Sequence, residues 1–89
     1  MTARRAVVRG VVQGVGFRFF AQRSARSLGV RGWVRNRADG TVESVAEGED
    51  VAVAEYLALL ERGPSGARVD DVEVEPVDPE GTSGFEVRR

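Results

Sequence analysis

The 89-residue sequence contains no histidine, no cysteine and no lysine. Without the first two, imidazole acid–base catalysis, Ser-His and Cys-His nucleophilic pairs and ordinary zinc sites are excluded. Disulfides are impossible, so nothing calls for an oxidising compartment. No apolar run approaches the length of a bilayer span, and Met1 to Arg5 leads directly into a strand-like segment. Neither a signal peptide nor a transmembrane helix is expected, and the expectation is a cytoplasmic protein that does not engage a membrane. Any chemistry must come from arginine, carboxylates, amides, hydroxyls or the backbone.

Acids are missing from the first 38 residues, which hold nine arginines (Arg4, Arg5, Arg9, Arg18, Arg23, Arg26, Arg31, Arg35 and Arg37). All 14 acids follow from Asp39 onward, with only Arg62, Arg68, Arg88 and Arg89 to offset them. The formal net charge of −1 is therefore +9 set against −10. At this length the expectation is one small domain over residues 1–89, large enough to build a core without staples. Small size and mixed surface charge make a monomer the default.

Ala6 to Val12 is rich in β-branched residues and reads as a strand, with Ala6, Val8, Gly10 and Val12 on one face. Gln13-Gly14-Val15-Gly16 breaks the pattern. From Phe17 to Leu28 the period is helical, with Phe17, Phe20, Ala21, Ser24, Ala25 and Leu28 on one stripe and Gly29 placed to end it. Val30 to Arg37 alternates again, with Arg31, Trp33, Arg35 and Arg37 opposite Val30, Val34 and Asn36. Asp39-Gly40 supplies hairpin chemistry, so Thr41 to Gly48 returns as the second arm. A second helix follows Glu49 and Asp50, with Val53, Leu57 and Leu60 as its seam and Tyr56 beside it, and Gly63-Pro64 stops it. Val69, Val72 and Val74 mark a further strand before Pro76, and Phe85 to Val87 a short one. The order β-α-β-β-α-β predicts an α+β, ferredoxin-like sandwich, an antiparallel sheet with two helices on one face and a short extra C-terminal strand.

Two segments are candidates for chemistry, and each has two readings. The Gln13–Arg18 turn leads from a strand into a helix, so its N–H groups and the helix terminus are able to seat a phosphate, with Arg18 closing over it. It serves equally as a glycine turn with Arg18 solvated. Asn36 faces away from its arginine neighbours; an amide there either bonds the adjacent turn or serves a site.

In order, these segments resemble the two signatures of the acylphosphatase family. Val8-Arg9-Gly10-Val11-Val12-Gln13-Gly14-Val15-Gly16-Phe17-Arg18 matches the first, and Gly32-Trp33-Val34-Arg35-Asn36 with Gly40, Val42 and Gly48 matches the second. The likeness covers nearly the whole chain. It implies hydrolysis of a carboxyl-phosphate anhydride to carboxylate and inorganic phosphate, the latter both product and inhibitor. By similarity, Arg18 and the backbone amides of Val15, Gly16, Phe17 and Arg18 hold the phosphoryl group and Asn36 orients the attacking water. The resemblance implies no metal, no cofactor and no covalent enzyme intermediate.

This inventory suits the reaction. A carboxylate leaves phosphorus readily, and phosphoryl transfer depends on positioning and on stabilising charge at the non-bridging oxygens. Three other readings share the fold. A nucleic-acid-binding module would use Trp33 and its arginine neighbours on the open sheet face. It lacks aromatics on Ala6–Val12 and Thr41–Gly48, and Glu43 and Glu47 would repel a backbone. A phosphate-binding regulator without turnover is the second. The third is a domain of a larger hydrogenase-maturation protein, disfavoured because no zinc-finger cysteines follow.

Overall fold

Strand β1 (Thr2–Val11) is followed by helix α1 (Phe17–Leu28), strands β2 (Arg31–Asn36) and β3 (Val42–Gly48), helix α2 (Asp50–Arg62), and strands β4 (Arg68–Pro76) and β5 (Phe85–Arg88). The computed structural model describes all residues 1–89. The strands form one sheet in the order β4-β1-β3-β2-β5. β1 pairs antiparallel with both β3 and β4, and β2 antiparallel with β3. This is the expected ferredoxin-like arrangement. The sheet is nevertheless mixed, because β5 lies parallel to β2. Residues 77–84 carry the chain from one sheet edge to the other, and four residues of alternating sequence say nothing about the direction in which they dock.

Both helices pack on the face that carries Ala6, Val8, Val12, Val34, Val42 and Ala46, which belong to one buried cluster with Phe17, Ala21, Ala25, Val53, Tyr56 and Leu60. The first helix has the predicted bounds. On α2 the buried positions are Val53, Tyr56 and Leu60, while Leu57 is only half-buried. Tyr56 takes the inner position because the core gives its hydroxyl a partner. It donates to Ser44 Oγ at 2.8 Å, which in turn donates to the Trp33 carbonyl at 2.8 Å. Burial pushes the Tyr56 phenol well above its ordinary value, so it stays a neutral donor. Its ring meets Phe85 edge-on at 5.6 Å, anchoring β5 to the core. No helix is long and apolar enough to cross a membrane.

The opposite face is not an open platform. Arg5 and Arg35 both donate through Nε to the Glu43 carboxylate, Arg35 at 2.7 Å, and Arg5 also reaches Glu75 at 2.8 Å. Arg9 pairs with Glu73 and Asp71. The 77–84 segment crosses this face. Its Glu80 and Gly81 N–H groups donate to the Glu47 carboxylate at 2.6 and 3.0 Å, and Trp33 Nε1 donates to Glu80 at 3.1 Å. Glu43 and Glu47, which alternation places outward, are thereby buried.

Candidate active site

The topology brings the two candidate segments together. β1 and β2 run parallel with β3 between them, so both finish at the same end of the sheet, two strand spacings or about 10 Å apart. A shallow depression of about 110 Å³ at that end is lined by Val12, Gly14, Gly16, Phe17, Arg18, Phe19 and Asn36. Arg18 and Asn36, 18 residues apart in sequence, thus line one concavity.

The loop between β1 and α1 owes its shape to two glycines and two anchors. Gly14 and Gly16 have φ of 75° and 76°, and a Cβ at either would meet nothing within 4 Å. Glycine is therefore required there by backbone angle and not by space. Between them Val15 turns its side chain inward against the core, and Phe17 is buried at 2% exposure with its ring edge-on to Phe20 at 5.9 Å. Positive φ at Gly14 and Gly16 with none at Val15 between them is the alternation from which backbone N–H groups build an anion-binding concavity. No backbone N–H from Gly14 to Phe19 donates to another backbone group; the first helical bond runs from Phe20 N to Gly16 O at 3.0 Å. The helix terminus adds its partial positive charge at the same place.

Arg18 is half-buried, and its Nη1 donates to the Arg88 carbonyl at 3.1 Å. That bond comes from β5, and the remaining donors of the guanidinium are unused by the protein. Asn36 is the last residue of β2, and its backbone pairs with Val42. Its Oδ1 is buried and accepts no hydrogen bond, so the side chain does not clasp the adjacent turn. Asp39 does that instead. Its Oδ1 accepts from the Thr41 hydroxyl at 2.6 Å and the Thr41 N–H at 3.0 Å, and these bonds hold its carboxyl below the usual carboxylate range.

Four of the nine arginines in the first 38 residues, Arg5, Arg9, Arg35 and Arg37, are ion-paired. Gln13 was not singled out by sequence as more than a turn residue. Its Nε2 donates to the Arg37 and Thr41 carbonyls at 2.7 and 2.9 Å, contacts with residues 24 and 28 positions away that no local pattern encodes.

A family model for acylphosphatase matches residues 4–87. The chain belongs to the acylphosphatase family. An acylphosphatase from Anaeromyxobacter dehalogenans is 55% identical over 85 residues, covering 94% of this chain and 91% of that one. One from Moorella thermoacetica is 48% identical over 82 residues, covering 92% and 88%. The crystal structure of acylphosphatase from Bacillus subtilis superposes with a TM-score of 0.97 at 38% identity, covering all of both chains. The protein is accordingly an enzyme that hydrolyses acyl phosphates, and the resemblance drawn from the two signatures holds along the whole acylphosphatase fold. The nucleic-acid reading finds no support in the charge-balanced, partly covered sheet face.

Proposed function

We propose that residues 1–89 act as one metal-independent catalytic domain, a cytoplasmic monomer, in which water attacks the phosphorus of a bound acyl phosphate directly. The phosphoryl oxygens sit on the N–H groups of Val15, Gly16, Phe17 and Arg18. The Arg18 guanidinium closes over them with two parallel donors and spreads their charge as the bond to the acyl oxygen lengthens. Asn36 holds the water. A turn about the terminal torsion of an amide is easy, and it brings the unclaimed oxygen to the depression to accept a hydrogen bond from the nucleophile. The water's proton passes to a phosphoryl oxygen, and carboxylate and inorganic phosphate leave.

One observation carries this reading: a single depression joins a row of unpaired backbone N–H groups, an arginine with free donors and an amide that no turn claims. The test is hydrolysis of benzoyl phosphate by the purified protein, expected to proceed unchanged in EDTA and to be inhibited competitively by inorganic phosphate. Arg18→Lys is expected to lose about 10²-fold or more in kcat/KM, because a point-like ammonium cannot match two oxygens at once. Full activity in both Arg18→Ala and Asn36→Ala refutes the assignment.

A further inference from the structure

We propose that Gln13 is a positioning residue, a pin that sets the span between the phosphate-binding loop and Asn36. That role rests on the site reading above. Gln13 is the residue before Gly14, where the loop begins, and its Nε2 uses both protons on the far side of the site, one on Arg37 O and one on Thr41 O. Those two carbonyls already close the hairpin: Thr41 O accepts from Arg37 N at 2.8 Å, and Arg37 O from Gly40 N at 3.2 Å. The amide therefore crosses from the end of β1, over the start of β3, to the residue that follows Asn36. No other side-chain hydrogen bond ties residues 12–17 to the β2–β3 hairpin. β1 and β2 are not neighbours in the sheet, so the sheet itself fixes their ends only through β3.

The two halves of the reaction depend on this pin differently. Holding a phosphoryl group needs the loop amides and Arg18, all on one side of it. Attack by water needs that group and Asn36 in register, and a misplacement on the order of 1 Å costs about 10²-fold. Removing the pin is thus expected to lower kcat and spare binding.

The experiment is steady-state hydrolysis of benzoyl phosphate, with inorganic phosphate as competitor, by Gln13→Ala, Gln13→Met, Asn36→Ala and the Gln13→Ala/Asn36→Ala pair. Gln13→Met keeps length and packing while deleting both donors, and covers the case in which the alanine variant fails to fold. We expect kcat to fall about 10-fold or more while KM and the phosphate inhibition constant stay within about threefold. In the Asn36→Ala background the same change is expected to cost less than about threefold, since no amide remains to be aligned. A wild-type kcat in the Gln13 variants, a loss confined to KM and phosphate affinity, or an undiminished loss in the Asn36→Ala background overturns the pin alone. A wild-type rate in Asn36→Ala overturns the site reading, and the pin with it.

Discussion

Replacing Asn36 by alanine sets a structural role against a site role, because the two predict opposite changes in stability. Asn36 Oδ1 is a buried acceptor without a partner. Leaving such a group unmade costs at most roughly 1–3 kcal/mol, less as the amide turns toward water, and truncation returns what remains of that cost. The lost packing of a half-buried side chain offsets part of it, so the net expectation lies between no change and a gain of about 1 kcal/mol. For a domain of this size, 1 kcal/mol moves Tm by about 4–8 °C. Were Asn36 instead the clasp of the hairpin, losing its bond would lower Tm over the same interval. Turnover should fall by about 10²-fold or more, as when a positioned polar group is removed from a reacting centre. Trp33, at 8% exposure, gives a fluorescence signal for the melt, and benzoyl phosphate hydrolysis gives the rate. A Tm drop of 4 °C or more together with a kcat within threefold of wild type would refute the reasoning.

Gly16→Ala meets no atom within 4 Å but must hold φ at 76°, so we expect a loss of about 1–2 kcal/mol by thermal melt. Gly16→Asn should recover part of it, because asparagine tolerates the left-handed region. Equal losses in both would point to a clash and not to backbone angle. For Glu43, burial pushes the carboxyl up but the hydrogen bonds from Arg35 and Arg5 outweigh it, holding it below its ordinary value of 4.5. A carboxyl lowered on folding stabilises the fold above pH 4.5 and loses that contribution as pH falls through the lowered value. Glu43→Gln should therefore destabilise at pH 7 by about 1–2 kcal/mol, less than breaking a fully buried pair because Arg5 and Arg35 side chains are 31% and 47% exposed. The difference from wild type should shrink toward pH 3, and a pH-independent difference would show that the charge is not responsible.

Local pattern was enough wherever one face is apolar and the ends carry punctuation. The bounds of α1 follow from its Phe and Ala stripe and from Gly29, and the five strands from β-branched runs, alternation and the Asp-Gly turn. What local pattern hides is long-range. Glu43 and Glu47 read as solvent-facing because the cover over them, Arg5 and Arg35 on one and the 77–84 crossing on the other, comes from distant sequence. Tyr56 ranks below Leu57 as a core residue until Ser44 is known to wait for its hydroxyl. At the site, Arg18 and Asn36 are assigned by resemblance, since a glycine turn and a strand-end amide are individually common. The support from the Arg88 carbonyl and the tie made by Gln13 carry no local signature at all.

The segregation of arginine from acid along the chain also bears on which strands can lie side by side. On the face away from the helices, β1 and β2 present arginines (Arg5 and Arg9; Arg31 and Arg35), while β3 and β4 present acids (Glu43 and Glu47; Asp71, Glu73 and Glu75). In the observed order β4-β1-β3-β2 the sign alternates at every junction. The tempting wrong assembly, β1 directly against β2, would set arginine beside arginine, and like charges placed across strands are destabilising by up to about 1 kcal/mol per pair. A near-zero total charge scattered evenly would leave that mistake unpunished. Sorted into two blocks, the same charges act as a neighbour code, and Glu43 reads it twice, once from each side.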